Sequence, residues 1–294
     1  MIYDKRIVKA EFINRPNRFY SNVKLEGKEI KVHVPNTGRC KELLIPGCTV
    51  YLREENNPAR KTPYDLIAVE KGHSLVSIDS HIPNKVVEEA LQKGKIEKLK
   101  GYKNILREKM FEKSRFDFKL SNDESDEYYL EIKGVTLEDK GYARFPDAPT
   151  ERGARHLMEL IEAKRRGYGA GVLFLIQLEK VYKFSPNDET DYKFGEALRA
   201  AKVAGVDIFA YNCLVTEESI EINQEVEILD LPEKLEISQL LLEEEQVQTN
   251  NIVYQRGKPQ GGGAFHAKKA KNTYTAEDNR RNVMKKRMAK KKKK

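Results

Sequence analysis

Ser114-Arg115-Phe116-Asp117-Phe118, followed after a polar loop by Glu131-Ile132-Lys133-Gly134-Val135, is the stretch that decides how this chain is read. Side chains alternate along a strand, so Arg115 and Asp117 are expected on one side of the first run, and Glu131 and Lys133 on one side of the second. The connecting Asn122-Asp123-Glu124-Ser125-Asp126-Glu127 is short and polar, as a hairpin connection is. Pairing of the two strands would bring an Asp, a Glu and a Lys to one patch. Asp117 and Glu131 are hard oxygen ligands of the kind that hold Mg²⁺ or Mn²⁺, with the Ile132 carbonyl as a further ligand. Lys133 would stabilise charge or orient an attacking water, and Arg115 could grip a phosphate bidentately. Glu-x-Lys also occurs in ordinary charged sheets, so its neighbours must decide.

Upstream, short β-prone runs are separated by turn signals. The expected strands are Ile7–Ile13, Phe19–Leu25, Glu29–Val34, Thr49–Glu54, Asp65–Glu70 and Ser74–Ile78. Arg15-Pro16-Asn17, Gly27, Pro35-Asn36-Thr37-Gly38, Ile45-Pro46-Gly47 and Asn56-Asn57-Pro58 punctuate them. That spacing fits a small OB-like β-barrel over residues 1–80. From Pro83-Asn84 the period changes to helical, with Val86, Val87, Ala90 and Leu91 as the apolar stripe. Downstream, Thr150–Arg166 reads as a helix, Gly171–Ile176 as a buried central strand, Tyr192–Ala204 as a helix and Asp207–Tyr211 as a buried strand. This order predicts an α/β domain with a mixed central sheet over residues 81–238. Residues 239–294 are expected to be a flexible linker and a disordered, lysine-rich basic tail.

Composition narrows the function classes. No stretch approaches the roughly 20 apolar residues that span a bilayer, and Met1-Ile2-Tyr3-Asp4-Lys5-Arg6 lacks a signal-peptide run, so a cytoplasmic protein without a membrane partner is expected. Cys40, Cys48 and Cys213 have no CxxC spacing, which argues against a disulfide framework and a zinc site. The formal net charge of +8 is unevenly placed. Residues 256–294 hold 15 Lys or Arg against Glu277 and Asp278, a local +13, which leaves about −5 for residues 1–255. Polycations attract any polyanion by counterion release, so the overall charge says little about the folded part. No Gly-rich phosphate loop is present, which disfavours nucleotide-cofactor chemistry.

Several stretches carry a resemblance. His33-Val34-Pro35-Asn36-Thr37-Gly38-Arg39, Asn57-Pro58-Ala59-Arg60-Lys61, Ser114–Phe118, Glu131–Leu137 and above all Phe145-Pro146-Asp147-Ala148-Pro149-Thr150-Glu151-Arg152-Gly153-Ala154-Arg155-His156-Leu157 resemble the sugar fermentation stimulation protein A family. They occur in order over residues 1 to about 230, and the arrangement also looks like the PD-(D/E)xK nuclease superfamily. The resemblance implies an OB-type domain joined to a restriction-endonuclease-like α/β domain, DNA binding, and a regulatory role in sugar metabolism. It places Asp117, Glu131 and Lys133 on metal and catalytic positions, with Phe116 standing where the superfamily usually has Pro. A further acidic ligand would come from the first helix, and Glu88, which shares a face with Asn84, Val87 and Leu91, is preferred over Glu89. A solvated helix charge is the competing reading of Glu88.

The remaining candidates would contact nucleic acid. Arg152 and His156 lie four apart on one helical face and could meet a phosphate, although His156 could equally bond a carboxylate. Asp147 is either a site residue or a helix cap in competition with Thr150. In the barrel, Arg15, Arg18, Asn36, Arg39, Arg60 and Lys61 are the expected DNA contacts, with Phe19, Tyr20 or Tyr64 as stacking or core aromatics. Three functions stay open: a Mg²⁺- or Mn²⁺-dependent nuclease, a non-catalytic nucleic-acid-binding regulator, and an RNA-associated protein bound through its tail. A homodimer is compatible with each.

Overall fold

A computed structural model of the chain describes residues 1–112, 114–122 and 126–232. The sequence expectations for residues 239–294, including the linker and basic tail, lie outside the described residues, as does part of the loop between the two site strands.

The first strands are β1 (Ile7–Asn17), β2 (Tyr20–Leu25), β3 (Lys28–His33), β4 (Thr49–Glu54), β5 (Tyr64–Lys71) and β6 (Ser74–Ser77). They form one sheet in the order β3-β2-β1-β4-β5-β6, and a β3–β5 pairing at His33↔Asp65 closes the first five into the OB-like barrel. Val23, Val32, Val50, Leu52, Leu66 and Val69 fill its interior, all buried. β1 runs through the Arg15-Pro16-Asn17 stretch read as a turn. Register shifts after Phe12 and after Asn14 let the chain keep pairing past a proline that cannot donate to a ladder.

The second layer follows: α1 (Ile82–Gln92), β7 (Asn104–Phe111), β8 (Ser114–Ser121), β9 (Glu127–Val135), β10 (Glu138–Asp139), β11 (Tyr142–Phe145), α2 (Glu151–Arg165), β12 (Gly169–Ile176), β13 (Lys183–Pro186), α3 (Asp188–Val203), β14 (Asp207–Val215), β15 (Ile220–Glu225) and β16 (Glu227–Ile228). The central sheet has the order β15-β14-β12-β9-β8-β7. β12 pairs in parallel with β9 and β14, while the outer strands pair antiparallel, which gives the expected mixed sheet. Along β12, Val172, Phe174 and Ile176 join one core with α2 and α3, and Leu173 and Leu175 join the other with α1. Both faces are covered, which is why this strand is an unbroken apolar run. A small sheet, β10-β11-β13-β16, is new relative to the sequence reading. Its strands are two to four residues long and one ends in Pro186, so they carry almost no periodic signal.

Helix starts follow their caps. Thr150 caps α2 by accepting from Gly153 N at 3.0 Å, so the cap belongs to Thr150 and not to Asp147. α3 begins earlier than Tyr192 but kinks at Asp191, whose carboxylate accepts from Phe194 N (3.0 Å) and Thr150 N (2.7 Å). The helix expected from Tyr192 is the segment after that kink. The three cysteines are free, and among the described residues no helix is long and apolar enough to cross a membrane.

Barrel and central sheet pack as parts of one compact unit. Tyr51, Ile67 and Ala68 on the barrel's outer face share a core with Ile82, Val86 and Val87 of α1. Gln177, just after β12, locks the crossing: its side-chain amide donates to Ser77 O (2.8 Å) and its backbone carbonyl accepts from Ser77 N (2.9 Å).

Candidate active site

The site forms where β8 parts from β9. Their ladder runs from Ser121↔Glu127 to Phe118↔Leu130 and goes no further. The β7–β8 ladder likewise skips Glu108 opposite Asp117, and Glu108 sits at φ 52. Strict alternation therefore breaks at Asp117: Phe116 packs with Tyr129 on the α2 side, whereas Phe118 packs with Leu130 on the α1 side. The freed Ile132 N–H is taken by the Asp117 side chain, which accepts it on Oδ2 at 2.7 Å. Asp117 Oδ1 accepts from Asn84 Nδ2 at 2.8 Å. The expectation that Arg115 shares a side with Asp117 does not survive this bend. Arg115 is exposed and pairs with Glu108 at 3.3 Å.

Glu131 is 4% exposed. Its Oε1 takes Lys133 Nζ at 2.5 Å and His156 Nδ1 at 2.5 Å. Arg152 Nε donates to His156 Nε2 at 3.3 Å. A guanidinium can only donate, so Nε2 is the acceptor and the ring proton sits on Nδ1, aimed at Glu131. Glu131 Oε2 is buried and has no hydrogen-bond partner among the described residues. Burial pushes the Glu131 carboxyl up, but the His156 hydrogen bond and the Lys133 charge outweigh it, and its pKa lies below the ordinary value. Asp117 goes the other way: burial, then the charge of Glu131, raise it, and its hydrogen bonds to Ile132 and Asn84 offset only part.

Two neighbouring carboxylates that repel each other, Glu131 buried with an orphaned oxygen and Asp117 half-buried, are a donor set that could hold a divalent cation. Mg²⁺ is commonly held by one or two carboxylates, with waters or substrate oxygens completing the shell. Asp117, Glu131 and the Ile132 carbonyl are the residues that could hold it. Glu88, the expected further ligand, faces elsewhere. Its carboxylate takes Arg107 at 3.5 Å, and the α1 residue that reaches Asp117 is Asn84, one turn earlier. Among the described residues no three His, Cys, Asp or Glu side chains gather closely enough to form a ready-made cation cage.

The barrel candidates divide. Arg15 donates to Gly38 O (2.8 Å), Arg39 O (3.0 Å), Arg18 O (2.8 Å) and Asn36 O (2.6 Å), so its guanidinium braces the 36–39 loop. Asn36 is equally committed, donating to Ile78 O at 2.7 Å and accepting from Gly38 N at 2.6 Å. Arg60 is engaged by Asp65 and by Glu55 at 3.3 Å, inside a network with Arg53 and His33. Arg18, Arg39 and Lys61 are exposed, and so is Phe19. Arg152 is exposed at the start of α2, with His156 buried below it.

Beside the carboxylates lies a cavity of about 260 Å³ that the sequence reading missed. The 36–38 loop of the barrel, the first turn of α1, the end of β9 and β11 enclose it. Asn84 and Ile132 both line it and both bond Asp117. Gly134 opens on it, and a Cβ there would meet Gln177 Oε1 at 2.5 Å. Its lining residues were singled out separately in the sequence, Asn36 to Gly38, Ile132, Gly134 to Leu137 and Asp147 within the matched stretches and Asn84 by its helical spacing from Glu88, but nothing local joined them into one cavity.

Comparison with known proteins agrees with this architecture. The family model described as SfsA N-terminal OB domain matches residues 13–78, and that described as Sugar fermentation stimulation protein RE domain matches residues 81–219. A sugar fermentation stimulation protein homolog from Clostridium perfringens (strain 13) is 64% identical over 229 residues, covering 78% of this chain and 100% of the relative. One from Clostridium acetobutylicum is 62% identical over 220 residues, covering 75% and 96%. The solved structure of Pyrococcus furiosus SfsA in complex with Ca²⁺ aligns with a TM-score of 0.71 at 31% identity, covering 78% of this chain and 97% of that one.

Proposed function

The chain belongs to the sugar fermentation stimulation protein family, and we propose that it binds DNA and carries a divalent-metal site of nuclease type for phosphodiester cleavage. The observation that carries this reading is the buried, unpartnered Glu131 Oε2 beside an Asp117 whose pKa Glu131 helps to raise. Lys133 offsets the charge of Glu131, and the repulsion that remains at half-buried Asp117 leaves a place for further positive charge. That a relative was solved in complex with Ca²⁺ supports a cation site in this chain. A cation held by Asp117, Glu131 and the Ile132 carbonyl would supply charge neutralisation to a phosphate.

The protein's own groups account for the rest. Lys133 holds its ammonium against Glu131, positioned to shift onto a phosphoryl oxygen or to orient a water. His156 fixes the Glu131 carboxylate, and Arg152 fixes the tautomer of His156 from the surface. Exposed Arg152, Arg39 and Lys61 offer charge to a DNA backbone. The test is cleavage of single- and double-stranded DNA with Mg²⁺ or Mn²⁺. Asp117→Ala, Glu131→Ala and Lys133→Ala should each abolish it while the circular dichroism spectrum is kept. Failure of the wild type to cut either DNA with either metal refutes the nuclease.

One feature favours a second reading. Lys133 already neutralises Glu131 and Glu88 is paired with Arg107, an arrangement that suits a DNA-binding regulator, extending to sugar metabolism, whose nuclease-like site does not cut. That protein binds DNA with a salt dependence that weakens when Arg39 is removed, and never cleaves. Binding of RNA through the basic tail is the third reading, and deletion of residues 256–294 tests it by loss of all affinity.

A further inference from the structure

We infer that the cavity beside Asp117 receives a single unpaired nucleotide, so that the preferred DNA has a single-stranded segment or a frayed end and is not an intact duplex. This rests on the proposed DNA-binding site. The cavity's volume of about 260 Å³ lies just under the roughly 300–1,000 Å³ of ordinary small-molecule pockets, enough for the base of one nucleotide and too little for a base pair. Its position ties it to the carboxylates, since Asn84 and Ile132 are at once its wall and the hydrogen-bond partners of Asp117. A strand whose phosphate lies at Asp117 therefore has its neighbouring nucleotide at the cavity mouth.

The lining is suited to reading a base edge. Thr37, Thr136 and Asp147 have no side-chain hydrogen-bond or ion-pair partner among the described residues, so hydroxyls and an acceptor stand free. Arg144 has one distant ion partner, Glu189 at 3.9 Å, itself 89% exposed, and such a surface pair is easily exchanged for a base or phosphate. The wall is built beforehand: Arg15 clamps the 36–39 loop through backbone carbonyls and Asn36 ties it to Ile78. A fixed wall lowers the ordering cost of taking a nucleotide out of its stack, and that unstacking is cheapest where the nucleotide is already unpaired.

The test compares the full chain binding a labelled single-stranded oligonucleotide and a blunt duplex of the same sequence, with Ca²⁺ as the only divalent cation. Salt is raised until the basic tail's contribution is weak. The wild type should favour the single strand. Arg144→Ala and Thr37→Trp, the latter filling the mouth from an exposed loop, should each weaken single-strand binding by roughly tenfold and duplex binding by less than about twofold. Equal wild-type affinities, or variants that weaken both DNAs alike or neither, overturn the inference, and if Thr37→Trp fails to fold, Arg144→Ala alone decides. Failure of the underlying site looks different: Asp117→Asn then leaves all DNA binding and all cleavage unchanged, whatever the cavity variants do.

Discussion

Replacing Asp117 with Asn should stabilise the metal-free protein while removing its response to divalent cations. The substitution keeps shape and both hydrogen bonds. The new side-chain amide can accept from Ile132 N with its carbonyl and donate to Asn84, whose own amide needs only to flip. What the substitution removes is a half-buried charge that Glu131 repels. Relieving such a conflict at a functional site is worth about 1 kcal/mol, which for a unit of this size moves Tm up by about 2–4 °C. In the wild type, a cation at one hundred times its Kd adds about 2.7 kcal/mol, or roughly 5–10 °C. Differential scanning fluorimetry with and without Mg²⁺, Mn²⁺ or Ca²⁺ reads both effects. Because the Asp117 carboxyl is raised in the folded state, its ionised form opposes folding. The advantage of the Asp117→Asn variant should therefore be full well above that raised pKa and vanish as the pH falls through it, where wild-type Asp117 is itself neutral. A variant with a lower metal-free Tm and an unchanged cation shift would refute the reasoning.

Other consequences can be checked separately. His156→Ala removes a buried donor to Glu131 and an edge contact with the Phe116 ring, and should cost about 3 kcal/mol in urea unfolding; a loss under about 1 kcal/mol would mean the ring does not anchor Glu131. Arg15→Lys cannot reach the carbonyls of Arg18, Asn36, Gly38 and Arg39 together, so amide exchange at 37–39 should quicken, and unchanged protection would count against the brace. Asp65 is held down to about 2 against burial by Arg60, His33 and Arg53, so its ionised form adds on the order of 2 kcal/mol above about pH 4, lost as the pH falls toward about 2. The stability gap between wild type and Asp65→Asn should narrow over that acid window, and a gap independent of pH would contradict it.

Where the sequence was legible, the physics was local. The barrel strands showed themselves by alternation and turn residues, and the central strand at 169–176 by being apolar on both faces. Asp117, Glu131 and Lys133 were singled out because the Glu-x-Lys spacing and a specific resemblance pointed to the same residues. The misses share one cause: they depend on contacts between distant segments. Arg15 reads as a loop arginine free for phosphate until the 36–39 carbonyls fold around it. Glu88 and Asn84 are equivalent candidates on a helical wheel, and only the crossing of α1 over β8 decides that Asn84 meets Asp117. Arg115 was placed beside Asp117 by strict alternation, which the break between β8 and β9 cancels. That same break frees Ile132 N–H for the Asp117 carboxylate, so a local rule failed at the candidate site.

The barrel's part in the site follows from how α1 begins. Its first turn supplies Asn84, so the start of the helix must be held in place. The segment leading into it is tied down from both halves of the unit. Asn36 holds Ile78 O, Ser80 bonds Pro35 O at 2.8 Å, and Arg53 binds Asp79 at 2.9 Å from the barrel, while Gln177 holds Ser77 from the sheet. Asp79 is 1% exposed, and its carboxylate is held by the Arg53 guanidinium and by the His81 N–H at 2.9 Å. A barrel that merely bound DNA would need no such buried ion pair at its exit. The ion pair makes sense as an anchor: it sets where α1 starts, α1 sets Asn84, and Asn84 orients the Asp117 carboxylate. The barrel is thus part of the structure that positions the site, whatever its outer surface binds.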